Sequence, residues 1–321
     1  MSDALLDQIR EVIQRDVNNR GLARDANENL FTVCRDNFAN ACRSIAETPQ
    51  PVLCIVTGFF IPHSQPPCGE TDGPLGAIFL ARALRSLGIS ATLITDLYCL
   101  RALKNGLDSC GLGPSILVKS FPPPMIYWTA FLEVTWRHFS NRMGFTHLLA
   151  LERVGPGFDG RCRNMRGLEV TAQNYPAHLL FESAARQTPP LCTIGIGDGG
   201  NEIGMGKIPV DLIARNIPHG ARIACRTPTD YLIVAGISNW GAYALAAGVA
   251  VLRRQRLPAS LFDVEREREL LRIMVEQGPL VDGVTAKPTV TVDGLAFDDY
   301  AEPLRRIGEI LEREQCLTYD E

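Results

Sequence analysis

The chain has 321 residues, a net charge of −4, and 46% apolar against 21% charged residues, the balance of a globular protein able to bury a core. Its Lys and Arg residues are dispersed, which argues against nucleic acid as a partner, and no apolar run approaches the ~18 residues that a membrane span needs. Met1–Arg20 lacks both the apolar core of a signal peptide and the Arg-rich, acid-poor character of a transit peptide, so the expected location is the cytoplasm.

In chain order, short apolar and β-branched runs recur at Val52–Val56, Thr92–Thr95, Ile116–Val118, His147–Leu151, Leu191–Ile196, Arg222–Cys225 and Tyr231–Val234. Each is too short for a helix and too apolar for a half-exposed strand, so they read as buried strands of a largely parallel sheet. Helical patterns lie between several of them. In Leu75–Leu87 the residues Leu75, Ile78, Phe79, Ala83 and Leu87 share a face, and Gly88 stops the segment. Trp128–Met143, Ala177–Gln187 and Gly241–Gln255 read similarly. The last of these carries "GAYALAAGVAVL", which can pack in the core or against a second subunit of a homo-oligomer; the core is the reading kept. From Ala259 a charged helix (Phe262–Gln277) precedes a turn-rich stretch with "GPLVDGVTAKP" and "TVDG", and a closing helix spans Asp299–Gln315. No polar linker separates this part. The expected architecture is one α/β domain over residues 1–321: a mostly parallel sheet with helices on both faces, a three-layer α-β-α sandwich of Rossmann-like kind, with 259–321 a mixed C-terminal extension packed on it.

Loops that follow the strands carry most of the glycine and acid clusters: "TGFFIPHSQPPCGETDGPLG", "ERVGPGFDGR", "GDGGNEIGMG", "TPTD" and "GISNWG". In open parallel sheets these loops converge on the edge where ligands bind. Gly195–Gly200 matches G-x-G-x-x-G after a strand, but two more glycines and a proline follow where a helix should open. The ribose-binding acid about 20 residues on is also missing, so a dinucleotide is not expected. "GMGK" lacks the first glycine and the Ser/Thr of a phosphate loop. The five histidines show no metal-ligand spacing, and His63, in the first strand's loop, is the one retained as a site candidate. Ten cysteines contain no C-x-x-C pair, which fits a reducing compartment and gives no zinc site.

In "TDGPLGA", "ERVGPGFDGRCRNMRG", "GIGDGGNEIGMGKIP" and "TDYLIVAGISNWGAYAL", order and spacing resemble the D-glutamate cyclase family across Val52–Val251. That resemblance implies a lyase-type cyclisation: loss of water from D-glutamate to give 5-oxo-D-proline. An amine must be deprotonated, a carboxyl must accept attack, and an oxygen must leave as water, which two acids in different environments can arrange. Asp198 and Glu202 are expected to transfer protons, with Asn201 hydrogen-bonded to the reacting carboxyl and the bare backbone at Gly199 and Gly200 near the developing oxyanion. Thr71, Asp72 and Gly73 precede Pro74 at a helix N-terminus that could hold the substrate's α-carboxylate. Arg166 offers a guanidinium fork, and Glu152 and Asn239 complete the substrate-binding set. The expected partner is a small amino-acid substrate. No cofactor is certain; a divalent cation (Mg²⁺, Ca²⁺ or Mn²⁺) could sit on Asp72, Asp198 and Glu202.

Overall fold

The computed structural model describes residues 2–121 and 128–319. Val52–Thr57 (β1), Ser90–Thr95 (β2), Leu117–Ser120 (β3), His147–Leu151 (β4), Cys192–Gly197 (β5) and Tyr231–Val234 (β6) form a six-stranded sheet. Its order is β3-β2-β1-β4-β5-β6, and every pairing is parallel. Side chains alternate across the sheet, as in β1, where Leu53 and Ile55 join the core on one face and Cys54 and Val56 the core on the other. All four are fully buried, so the continuous apolar runs of the sequence are explained by two covered faces.

One layer is built from Ser2–Ile13 (α1), Asn37–Glu47 (α2), Pro74–Ser86 (α3) and Leu97–Ser109 (α4). On the opposite face lie Trp128–Met143 (α5) and His178–Ala184 (α6), with Val210–Asn216 (α7) and Gly220–Ile223 (α8) beneath β6. Ser238–Arg253 (α9) returns to the first layer, where Val264–Glu276 (α10) and Glu302–Arg313 (α11) share its core. The sheet is therefore sandwiched between helices. Every residue of α9 from Ser238 to Val251 is buried within the chain, so its small-residue pattern serves close packing. Leu270, Met274, Leu304 and Ile307 from the C-terminal segment belong to the same apolar cluster as Leu53 and Ile194 of the sheet. Among the described residues no helix is long and apolar enough to cross a membrane.

The structure corrects one expected strand. Arg222–Cys225 is not in the sheet: α8 occupies Gly220–Ile223, where Ala224 N–H donates to the Gly220 carbonyl. β5 pairs directly with β6 and leaves no edge for another strand between them, while Ile223, Ala224 and Cys225 bury their apolar groups under α7 instead. A short apolar run alone does not distinguish these outcomes.

Chain order and sheet order part between β1 and β4. The loops after β1, β4 and β5 meet there, at the topological switch point where open α/β sheets leave a crevice.

Candidate active site

Beyond these strand ends lies a cavity of about 260 Å³, whose walls include Arg20, Glu70, Glu152, Asp198, Asn201 and Asp293. A larger groove of about 680 Å³ runs beside α4 and α10, but its Glu265, Glu269 and Arg266 are surface charges, most of them spent on ion pairs within α10. The smaller cavity gathers buried ionisable groups, which makes it the candidate site.

Each acid has a structural reason for its position. Glu152 ends β4 with φ +45°, a left-handed conformation unusual for a residue with a side chain. Arg153 then turns the other way and is buried, bound to Asp96, the Gly58 carbonyl and the Tyr175 carbonyl. That anchor leaves Glu152 aimed at the cavity, with Ser238 Oγ donating to its Oε2 at 2.6 Å. Such strain is held only where surrounding contacts over-determine it.

The loop after β5 folds back on its own strand. A Cβ at Gly195 would lie 2.7 Å from the Ile203 carbonyl oxygen and 2.8 Å from Gly204 Cα, so the close approach of the two backbones requires glycine there. Ile203 N–H donates to the Arg153 carbonyl and Gly155 N–H to the Asn201 carbonyl, which ties this loop to the one after β4. Gly200 turns at φ +94°. Asp198 is thereby placed at the cavity wall, its backbone N–H donating to Glu202 Oε1 at 3.0 Å, while Asn201 Nδ2 donates to the Arg163 carbonyl at 2.8 Å.

Thr71, Asp72, Gly73 and Asn239 lie just behind the cavity in a reciprocal cap. Gly73, not Thr71 or Asp72, is the N-cap of α3. Asn239 Oδ1 accepts from the Gly73 and Gly76 N–H groups at 2.8 and 2.7 Å, so a side chain from α9 already fills that helix end. In return Asp72 accepts from Ser238 N–H at 3.0 Å and Asn239 N–H at 2.8 Å and caps α9. Thr71 Oγ1 donates to the Thr291 carbonyl. The Gly73 and Gly76 N–H groups of the α3 N-terminus, expected to face a carboxylate, thus point at Asn239 Oδ1.

Glu202 is buried and within reach of Glu152 and Asp198, each offering an oxygen within 4.8 Å of the others; Asp72, Asp198 and Asp293 form a second such group. Glu202 Oε2 and Asp198 Oδ2 have no aligned hydrogen bond. Arg20 Nη1 nonetheless stands 2.9 Å from Asp198 Oδ2, and Nη2 stands 2.7 Å from Asp293 Oδ2. Burial pushes the carboxyls of Glu70, Asp72 and Glu152 well above their ordinary range, and neighbouring carboxylates add to it. Burial also raises Asp198 and Asp293, but Arg20 opposes it and they come to about 6. For Arg20 burial disfavours the charge, yet Asp198 and Asp293 outweigh it and the guanidinium stays protonated. Acids with such different environments are the arrangement proton transfer needs.

A model of the family described as "D-glutamate cyclase-like, C-terminal" matches residues 9–308. The chain belongs to this family. It is also 30% identical, over 94% of its length, to the human protein named "D-glutamate cyclase, mitochondrial", and the match covers 51% of that protein. The chain thus spans about half the length of this cyclase relative.

Of the residues singled out in the cyclase-like sequence, the structure brings Glu152, Asp198, Asn201, Arg166 and His63 to the cavity wall. Arg166 is exposed and donates through Nη2 to the Val284 carbonyl at 2.8 Å. Gly199 and Gly200 support Asp198 from the loop. Sequence reasoning missed Arg20, Glu70 and Asp293. Asp293 carries a legible signal in "TVDG": Asp293 and Gly294, at φ +54° and +76°, turn the hairpin of Thr291–Val292 (β7) and Leu295–Ala296 (β8). Arg20 has no comparable signal, because it enters from the segment after α1 rather than from a strand end.

Proposed function

We propose that the protein closes D-glutamate into 5-oxo-D-proline with loss of water, Asp198 acting as base and Glu152 as acid. The observation that carries this reading is that two buried carboxyls line one cavity in different settings: Asp198 stands 2.9 Å from the Arg20 guanidinium, which holds it near 6, whereas burial and neighbouring carboxylates push Glu152 well higher. At neutral pH Asp198 is ionised and takes a proton from the substrate's ammonium. The freed nitrogen lone pair attacks the side-chain carboxyl carbon, and a C–N bond forms. Glu152, protonated, delivers a proton to the oxygen whose C–O bond breaks, and water leaves. Asp198 passes its first proton to the side-chain carboxylate, takes the second from the nitrogen as the C–N bond forms, and returns that one to Glu152, so the two protons lost by nitrogen are the two that leave in water and both acids are restored. Family membership and likeness to a named cyclase support the reaction class. Asp198 and Glu202 were the sequence's choice of pair; the geometry favours Glu152 as the acid because Glu152 lines the cavity, whereas Glu202 sits behind it with Oε1 on the Asp198 N–H.

A divalent cation is a second reading of this site, in place of the protonated acid, because a carboxylate that ligates a cation is ionised. Glu152, Asp198 and Glu202 offer hard oxygens of the type Mg²⁺, Mn²⁺ or Ca²⁺ takes, and Glu202 Oε2 lacks a partner. Asp72 suits the role less, since the N-terminus of α9 occupies its oxygens. A bound ion would polarise the reacting carboxyl. Chelation followed by titration of each ion is expected to remove and restore turnover; full turnover in chelator would remove the ion from the mechanism.

Incubation with a panel of D- and L-amino acids, read by mass spectrometry for loss of one water, tests the reaction and its substrate together. Conversion of D-glutamate is expected. Saturable binding with no product over long incubation would instead mark a small-molecule binding module.

A further inference from the structure

We propose that Arg20 is the receptor for the substrate's α-carboxylate, and that the incoming carboxylate takes the place of Asp198 on Nη1 of its guanidinium. The inference rests on the cyclase reading for the identity of the ligand, but on the geometry of Arg20 for the site. Arg20 follows Asn18 and Asn19, two left-handed residues at φ +57° and +51° that turn the chain inward from α1. Its guanidinium is held on one side: Nε donates to the Val17 carbonyl at 3.3 Å, and Nη2 to the Gly236 carbonyl at 3.2 Å and to Asp293 Oδ2 at 2.7 Å. Those partners fix its plane. Nη1 is left facing Asp198, paired with Oδ2 at 2.9 Å by charge but without a well-aligned hydrogen bond. A contact held by charge without alignment is the one a better-directed carboxylate can replace.

The charge balance of the cavity points the same way. Its walls carry Glu70, Glu152, Asp198 and Asp293, with Asp72 and Glu202 close behind. A ligand with carboxylates of its own enters such a space only if a cation receives it. Among the described lining residues the guanidiniums are Arg20 and Arg166. Arg166 is exposed and engaged with the Val284 carbonyl, where a carboxylate gains little from it. Arg20 is largely buried, where a charge pair is poorly screened and its loss is felt. Displacement has a chemical use as well: Asp198 leaves its cation when the substrate arrives and is then beside the ammonium it must deprotonate.

Two substrates separate this role from a structural one. D-Glutamate carries the α-carboxylate, whereas 4-aminobutanoate keeps the amine and the reacting carboxyl but lacks it. Arg20→Met is expected to lower kcat/KM for D-glutamate by about 100-fold more than for 4-aminobutanoate, the size of removing one partner of a buried charge pair, because both substrates lose the cation beside Asp198 but only D-glutamate loses the receptor of its α-carboxylate. Arg20→Lys, which keeps the charge without the fork and guards against a folding defect, should show an intermediate loss confined to D-glutamate. Arg166→Ala should retain the preference for D-glutamate. Equal losses on both substrates, or a preference that disappears with Arg166 instead, would overturn the assignment. If the wild type turns over neither compound, the cyclase reading fails and calorimetry with glutarate decides the Arg20 proposal alone. Binding to wild type that is lost in Arg20→Met and weakened in Arg20→Lys supports it, and binding unchanged in Arg20→Met, or absent from wild type, ends it.

Discussion

Glu152 and Arg153 show how much one backbone conformation decides. Adjacent in sequence at the end of β4, they point to opposite duties: Arg153 locks onto Asp96, and Glu152, at φ +45°, presents its carboxyl to the cavity. Asp198 reaches the same cavity from β5 and, with a pKa near 6, is largely ionised at neutral pH. Asp198→Asn should lower kcat by about 10²- to 10⁴-fold, the range for a general base. In the wild type kcat/KM should rise as pH increases through about 6, because the base must be deprotonated in the free enzyme; a pH–rate profile flat across that window would remove Asp198 from the role. Both acids were legible in the sequence because strand-end loops of a parallel sheet converge. Arg20 was not, since only the folded chain brings the segment after α1 against β5. Arg166 was legible as a guanidinium within "NMRG", but its exposure was not.

At the scale of elements, the helices α3 and α9 secure each other's first turn. Asn239 closes the N-terminus of α3 and Asp72 that of α9, which fixes both loops beside the site before any ligand is present. Asn239→Ala would leave the Gly73 and Gly76 N–H groups buried without an acceptor and should cost about 2 kcal/mol of stability. Denaturant unfolding would read this as a lower midpoint at unchanged slope; an unchanged midpoint would mean that water or another side chain replaces the cap. The "TDGPLG" stretch announced a helix start correctly, with Pro74 in the first turn, but could not reveal that its cap comes from a residue far along the chain. Strands were read well where apolar runs were continuous, as in β1, β4 and β5. Arg222–Cys225 misled because its three apolar residues, Ile223, Ala224 and Cys225, bury equally well at and after a helical turn when the neighbouring strands already pair.

For the whole molecule, two segments far apart in the chain line the same cavity. Arg20 comes from the N-terminal segment and Asp293 from the hairpin near the C-terminus, and their ion pair joins the two over the acids of the sheet. So many buried carboxyls carry a cost that depends on pH. Asp198 and Asp293 are raised from 3.8 to about 6 in the fold, so the native state binds protons more readily than the unfolded chain. Their contribution to stability is therefore fully present below about pH 4 and is lost as pH rises through about 6. Asp198→Asn, which removes one of these ionisations, should melt higher than wild type at pH 7–8, by roughly 2 °C for each kcal/mol gained, and the difference should vanish near pH 4. A variant that is less stable at every pH would show that the pairing with Arg20 outweighs the burial of charge. The sandwich and its site edge could be read from the alternation of strands and helices. The pairing of these two segments could not, because no local pattern marks a contact between residue 20 and residue 293.

Asp198 and Glu152 are the pair proposed to cyclise D-glutamate. The most direct measurement follows the purified wild type, Asp198→Asn and Glu152→Gln with D-glutamate by mass spectrometry. The account predicts loss of one water to give 5-oxoproline with the wild type and a collapse of the rate in both variants, with circular dichroism unchanged. Product formation at the wild-type rate in either variant, or no product from the wild-type protein in the presence of divalent cations, would contradict it.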